Sequence, residues 1–328
     1  MKGRSDDWGT RIMTESTFDR PAPALAAARR QNTIARRVRA ISKLLIHLVL
    51  IVGGFAVLIP FFWMVSASLK PDWEIFQIPP TWIPEEPLWQ NYAIVLTGNR
   101  PDAEGSRAGQ GWSFMGFVWN TAYVTAWVMV GRLLTASLAA YGFARLRFPG
   151  RNVLFIIMLA TMMVPGHVTM IPLYFIFKSL QTLDTYWPLV LPVWFGGGAF
   201  FIFLLRQFIN SIPPDYDDAA RIDGCSWLGV YWRIILPMIK PALGAVAIFS
   251  FMASWNDFMG PLIYISSMDK YTVAIGLHFF KNNASPAARP LWNLMMAASV
   301  VAMVPPLLLF FFAQRYYIQG IVVSGIKG

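Results

Sequence analysis

Apolar residues come in runs of about twenty or more along most of this chain, separated by polar stretches. A run of that length, wound as a helix, crosses a hydrocarbon layer of roughly 30 Å. A lipid-embedded backbone must satisfy its own polar groups, which favours helices over open strands. Six runs predict six transmembrane helices, over 44–67, 114–141, 153–177, 186–205, 242–265 and 291–313. Residues 1–42 have no apolar core and are rich in Ala, Pro and Arg. They read as a disordered tail ending in the basic segment "ARRQNTIARRVRAISK", and not as a signal peptide, since no short apolar region lies near the start. The expected class is therefore all-α and polytopic, with a tail over 1–42 and a six-span domain over 43–328.

Composition narrows the function classes. The chain is 56% hydrophobic and 13% charged, where a soluble domain carries about a quarter charged residues. The single cysteine, Cys225, excludes an intrachain disulfide and a cysteine metal cluster, and the three histidines have no ligand spacing. No His, Asp and Ser cluster in the spans suggests a catalytic site. Charged residues deep in several spans, which an ion-coupled secondary transporter would need, are few.

The net charge of +10 invites a nucleic-acid reading, but the distribution of bases fits topology better. Nineteen Lys and Arg fall in the tail, the loop after span two, the loop after span four and the C-terminus. Seven fall in the alternate loops, and Arg132 lies inside span two. Both termini are then cytoplasmic, and the acidic loop 70–111 is external.

That assignment places a charged insert, about 206–241, inside the cell. It contains "DDAARIDGCSWLGVYWRIILPMIKPAL". Pro213 and Pro214 precede a first turn holding Asp215, Asp217 and Asp218, where acids favour the helix dipole. Gly224 suits a C-terminal cap, and Ser226 an N-cap for a second helix. That helix puts Trp227, Val230, Tyr231 and Ile234 on one stripe and stops at Leu236-Pro237, before Pro241 opens span five. Two short helices hinged at a glycine result. They read either as a hairpin resting among lipid headgroups or as a plug for a cleft on a cytoplasmic partner.

The insert resembles the coupling-loop motif of ABC importer permeases: Glu-Ala-Ala, three residues, Gly, nine residues, Ile, any residue, Leu, Pro. Here Asp218, Ala219, Ala220, Gly224, Ile234, Leu236 and Pro237 keep every spacing, and only Asp for Glu departs. "NTAYVTAWVMVGRLLTASLAAYGFAR", "SWNDFMGPL" and "QGIVVSGIKG" are similar to the carbohydrate-uptake, maltose-type second permease. The resemblance implies an inner-membrane permease for a sugar or oligosaccharide, paired with a second, different permease. It also implies two cytoplasmic ATPase subunits that carry ATP and Mg, and an external solute-binding protein. The chain has no G-x-x-x-x-G-K-[ST] loop, so hydrolysis is expected from a partner and no cofactor from this chain. In that family the insert sits in a cleft of the ATPase, with the acid of the motif making a charged contact. Alternatives are an ion-coupled transporter or a permease for a non-sugar solute.

Two further positions carry candidate chemistry. Asp257 in "SWNDFMG" lies about fifteen residues past Ala242, ~22 Å along a helix, near the outer mouth. With Asn256 it reads as a polar gate or as an interfacial anchor. Trp112, Trp119, Trp187 and Trp194 suit sugar stacking and interfacial belts equally. Gly196-Gly197-Gly198 and Pro165-Gly166 interrupt spans, and Gly131, Thr135, Ala136, Ala139 and Ala140 follow helix-packing spacing.

Overall fold

The computed structural model describes residues 22–99, 113–281 and 291–325, with side chains placed for 39–99, 113–280 and 291–314. Residues 1–21 of the tail, Trp112 and residues 100–111 of the acidic loop lie outside these residues. Among them, every regular element is helical. The chain divides into two units, Met1–Phe62 and Trp63–Gly328.

The first unit consists of most of helix α1 (Ala22–Ser68), whose stretch Arg39–Ser68 is long and apolar enough to span a membrane. Pro60 sits inside it without ending it, as lipid-spanning helices tolerate.

The second unit begins with a structured segment carrying α2 (Asp72–Ile75) and α3 (Gln90–Thr97). Its core is polar. Lys70 and Glu74 are both fully buried and 3.8 Å apart, and Thr81 accepts from Lys70 and donates to Glu74. The next long helix, α4 (Phe114–Arg145), starts at a Ser113 cap that accepts from the Met115 N–H. After it come α5 (Arg151–Ala160), α6 (Gly166–Ser179), α7 (Trp187–Gly196) and α8 (Ala199–Asn210). The insert holds α9 (Asp215–Ile222), α10 (Trp227–Val230) and α11 (Leu236–Met238). The unit closes with α12 (Lys240–Trp255), α13 (Met259–Tyr264), α14 (Val273–Lys281) and α15 (Trp292–Gly325).

Two of the expected spans in this unit appear as single long apolar helices, Phe114–Arg145 and Trp292–Gln314, and α7 with α8 forms a third candidate span, Trp187–Asn210, interrupted at the positive-φ Gly197 and Gly198. The other two are broken. The run over 153–177 is two segments, Arg151–Met163 and Gly166–Ser179, bent by 97°. Pro165 explains the bend: it has no N–H to donate, and it forces Val164 into extended backbone. The run over 242–265 stops at Trp255. Asn256 folds its amide back onto the Met252 carbonyl (2.8 Å), and Asp257 accepts from the Gly260 N–H (3.2 Å) as α13 begins. At the other end α12 meets Trp227–Met238 at 77°. The described residues thus hold four candidate spans, or up to six if each bent pair counts as one.

Helix α4 is the element the others pack on. Phe114 and Phe117 at its start join a core with α14 and α15, while Ala136, Ala140 and Tyr141 at its end join a second core with α8, α12 and the insert. Small residues make this possible. Trp194 lies against Gly131, where an added Cβ would run into the indole, and its ring N–H donates to the Trp127 carbonyl at 3.1 Å. Gly197 has φ +59, and a Cβ there would sit 3.1 Å from the Ala136 nitrogen.

One clamp joins two connections. The Asp184 carboxylate accepts from the Ser266 and Ser267 N–H groups (2.9 and 2.8 Å), the Ser267 hydroxyl and Lys270 Nζ (2.8 Å). Lys270 and the Ser267 donors hold the Asp184 carboxyl well below the usual carboxylate range, and Asp184 raises Lys270 in return.

Two outcomes test these contacts. Gly131→Val forces the indole of Trp194 aside, an overpacking cost of ~1–3 kcal/mol, and lowers the Tm of the detergent-purified protein. Gly116→Ala, where nothing lies within 4 Å of the new Cβ, leaves it near wild type. The clamp adds a pH signature. Because the Asp184 pKa is depressed on folding, its contribution is complete above the unfolded carboxylate value near 3.9 and fades as pH falls through the folded one. Tm falling on acidification below about pH 4 should shrink in Asp184→Asn, and an identical acid profile in that variant would exclude the clamp.

Candidate functional site: the insert and the interior crevice

The insert folds as two helices hinged at Gly224. Pro214 precedes α9, whose first turn holds Asp215, Asp217 and Asp218. The helix ends in paired reverse bonds: the Cys225 N–H reaches the Ala220 carbonyl at 2.9 Å, and the Gly224 N–H reaches Arg221 at 3.0 Å. This is a Schellman ending, which needs a left-handed residue, and Gly224 supplies φ +83. Ser226 then caps α10 by accepting from the Gly229 N–H at 3.2 Å. The second helix does not stop at Leu236-Pro237. It passes through one π-helical turn, Tyr231–Ile235, and runs on to Met238. The wider turn relieves the clash that the Pro237 ring would otherwise make with a preceding carbonyl.

Its inner face is fixed to α4. Arg145 Nε lies 2.5 Å from Asp217 Oδ2, both side chains are about nine-tenths buried, and Arg145 also donates to the Ile212 carbonyl at 2.7 Å. Burial pushes the Asp217 carboxyl above the usual carboxylate range, with Arg145 pulling it partway back. Tyr141 donates to the Trp227 carbonyl (3.0 Å), and the Ser137 and Tyr231 hydroxyls meet at 2.7 Å. Val230, Tyr231 and Ile235 are fully buried.

The motif residues divide between two faces. Asp218, Ala219, Gly224 and Pro237 are exposed, while Ile234 and Leu236 are half-buried. Ala220 is 6% exposed and packs into this chain's own core. Only Ala219 of the pair is therefore open to a partner. The helical period explains the split: 217 and 220 lie three residues apart on the inner side, and 218 and 219 point away. The stripe predicted for the second helix also shifts. Val230 and Tyr231 face in with Ile235, and Trp227 lies at the surface with the Arg221 guanidinium 4.0 Å above its ring. Sequence reasoning missed Asp217, Arg145, Tyr141, Ser137 and Tyr231 as the anchor. The only signal was a base at the end of one helix and a run of acids in another, seventy residues on.

A second polar locus lies among α4, α7 and α12. It is a crevice of about 130 Å³ reached by Asp257, Arg132, Ser254 and Thr272. Asn256 does not join Asp257 there; its amide caps α12 and it is exposed. Arg132 lies over the Phe201 ring at 4.7 Å, and its Nε meets no acceptor. Trp187 and Trp194 line a separate aromatic groove with Tyr123 and Trp127, whereas Trp119 lies elsewhere on α4. Among the described residues, no group of His, Cys, Asp and Glu is placed to hold a metal ion.

The anchor has a direct test. Arg145→Met leaves the Asp217 carboxyl buried without its counter-charge, a loss of up to ~3–5 kcal/mol. Since the raised carboxyl is disfavoured in its charged form, the loss grows as pH rises above the unfolded carboxylate value. Pairing Arg145→Met with Asp217→Leu should recover much of the Tm. No recovery, or a loss independent of pH, would show that the pair does not hold the insert.

Comparison with known proteins agrees with this geometry. The profile of the family described as "Binding-protein-dependent transport system inner membrane component" matches residues 131–323, more than half of the chain. The arabinooligosaccharides transport system permease protein AraQ of Bacillus subtilis (strain 168) is 32% identical over 273 residues, covering 83% of this chain and 91% of that protein. The sn-glycerol-3-phosphate transport system permease protein UgpE of Yersinia enterocolitica is 30% identical over 279 residues, covering 85% and 95%. A chain of the crystal structure of a bacterial ABC transporter that imports the acidic polysaccharide alginate superposes with a TM-score of 0.71. It covers 86% of this chain and 98% of that one, at 21% identity, and so shares the fold. This chain belongs to the family of binding-protein-dependent transport system inner membrane components, as a permease subunit of an ABC importer in which ATP hydrolysis falls to a separate subunit.

Proposed function

We propose that this chain is one of two permeases in an ATP-driven importer of a sugar or oligosaccharide, and that its insert is the point of contact with the ATPase. The observation that carries the reading is the exposed edge of a rigidly mounted insert. Asp218, Ala219 and Gly224 face outward from a pair of helices that Arg145 and Tyr141 tie to α4. A displacement of that edge is passed to α4, α8 and α12 without slack, because Val230, Tyr231 and Ile235 are packed among them. The relatives named for arabinooligosaccharides and sn-glycerol-3-phosphate support a hydroxyl-rich solute.

On this reading six spans cross the inner membrane, both termini and residues 206–241 are cytoplasmic, and the tail over 1–42 precedes a permease domain over 43–328. A second permease, most simply a different chain, completes the pathway. Two ATPase subunits hold ATP and Mg, a solute-binding protein delivers the sugar from outside, and this chain binds no cofactor and no nucleic acid. Asp218 makes a charge-assisted contact with the ATPase of ~1–3 kcal/mol. Ala219 allows close approach and Gly224 sets the angle between the helices. Ala220, Ile234, Leu236 and Pro237 keep the insert's shape. Asp257 serves the pathway, with Asn256 ending the helix beside it.

Function is tested on the complex expressed with its partner subunits. Uptake of labelled oligosaccharides that depends on the binding protein and on ATP is the expected result. Uptake of none of them, or transport by this chain alone on an ion gradient, overturns it. Coupling is tested at Gly224→Trp with Asp218→Lys. No neighbour lies within 4 Å of a Gly224 Cβ, so the cost arises from its left-handed backbone and from the partner's cleft. Normal membrane expression with uptake lost at least about tenfold is expected, as for a lost charged contact. Full uptake would leave the insert a headgroup hairpin. Orientation is tested in a Cys225→Ser background. A cysteine at the exposed Glu86 should react with an impermeant thiol reagent in intact cells, and one at the exposed Asp223 only after lysis. The opposite pattern would place the insert outside.

A further inference from the structure

The crevice among α4, α7 and α12 is not accounted for by packing. Part of its wall is apolar, formed by Val124, Val128, Leu189 and Val193. Set into them are polar groups that the protein leaves unused. Thr272 is 3% exposed and lines the crevice, yet its hydroxyl has no hydrogen-bond partner. Nε of Arg132 is buried and equally without an acceptor. Thr121, by contrast, is spent: it donates to the Phe117 carbonyl and accepts from the Val273 N–H, each at 2.8 Å. Leaving buried donors unpaired costs free energy unless something else fills the place.

The spacing of these groups suggests what fills it. Ser254 meets Thr125 across the α4–α12 seam at 3.1 Å. Arg132 lies seven residues further along α4, ~10 Å away by helical rise. Asp257 lies beyond Ser254, just past the end of α12. The crevice therefore has a carboxylate toward one end, a guanidinium toward the other and the Ser254 hydroxyl between, with Thr272 beside Thr121 on the side away from Arg132. A lone anion would meet Asp257 and a lone cation would meet Arg132. An uncharged, hydroxyl-rich segment both accepts from the guanidinium and donates to the carboxylate, and its C–H faces suit the valine and leucine walls. The volume of about 130 Å³ equals ~4 waters, enough for one edge of a sugar rather than a whole oligosaccharide.

We propose that this crevice is a solute subsite within the permease, in which Arg132, Asp257, Ser254 and Thr272 recognise the hydroxyl edge of a neutral carbohydrate in transit. The proposal rests on the carbohydrate reading above and adds the residues and the charge class.

The test uses the complete complex with its binding protein in proteoliposomes, reading solute imported per ATP hydrolysed. The solutes are arabinotriose, maltotriose, sn-glycerol 3-phosphate and an amino-acid mixture. Wild type should import a neutral oligosaccharide. Arg132→Gln and Asp257→Asn should each lower the import-to-hydrolysis ratio about tenfold, as expected for a lost charged hydrogen bond. Thr272→Val should lower it less, and Arg132→Lys should restore part of it. An unchanged ratio in both charge variants would mean that the crevice holds only water, and would overturn this proposal while leaving the carbohydrate reading intact. A parallel fall of import and hydrolysis, with a lowered Tm, would mean a structural role and overturn it likewise. Wild-type import of the phosphate ester alone would overturn the neutral-solute assignment. Import of amino acids alone, or of nothing in the set, would overturn the carbohydrate reading and this proposal together.

Discussion

A single ion pair decides how the polar insert is mounted on an otherwise apolar protein. Arg145, the last residue of α4, reaches both the Asp217 carboxylate and the Ile212 carbonyl. Without it, α9 would have an acidic first turn facing a core of alanine, isoleucine and tyrosine, and burial already disfavours that carboxylate. With it, one side of α9 is drawn inward at Asp217 and Ala220, which turns Asp218 and Ala219 outward. The orientation of the exposed edge thus follows from a contact buried beneath it.

Rigidity at the insert contrasts with the breaks elsewhere. The helices stop or bend at Pro165, at Gly197-Gly198 and at Asn256, and each break has a local cause. Proline removes a donor, glycine takes a left-handed backbone against α4, and an asparagine amide competes for a helix carbonyl. Irregular backbone at membrane depth must be satisfied by neighbouring protein or a polar cavity. Asp257 illustrates both: it accepts an N–H of α13 and lines the crevice. Helix α4 runs unbroken beside these breaks.

Much was legible in the chain itself. Twenty-residue apolar runs dictate helices because lipid offers the backbone no other partner, and that argument needs no tertiary information. The spacing from Asp218 to Pro237 carried the resemblance to ABC importer permeases, the family to which the chain belongs. The hinge at Gly224 was legible too, since a glycine after a short helix is where a left-handed cap is cheapest. Small residues on α4 announced close packing, which Gly131 displays against Trp194 and Ala136 against Gly197.

Tertiary structure decided what one-dimensional pattern could not. Three acids within one helical turn, at 215, 217 and 218, are equivalent in sequence, and the position of Arg145 selects 217 as the buried one. Adjacent alanines at 219 and 220 likewise have opposite fates, because an α-helix turns about 100° per residue and only one can face α4. Arg132, an isolated base in the sequence, becomes one end of a polar crevice once α12 lays Ser254, and the turn after it Asp257, alongside α4. Hydrophobic periodicity determines which segments cross the membrane, since it depends on each segment alone. Which polar groups meet depends on how the segments are brought side by side, and that is a property of the packed helices.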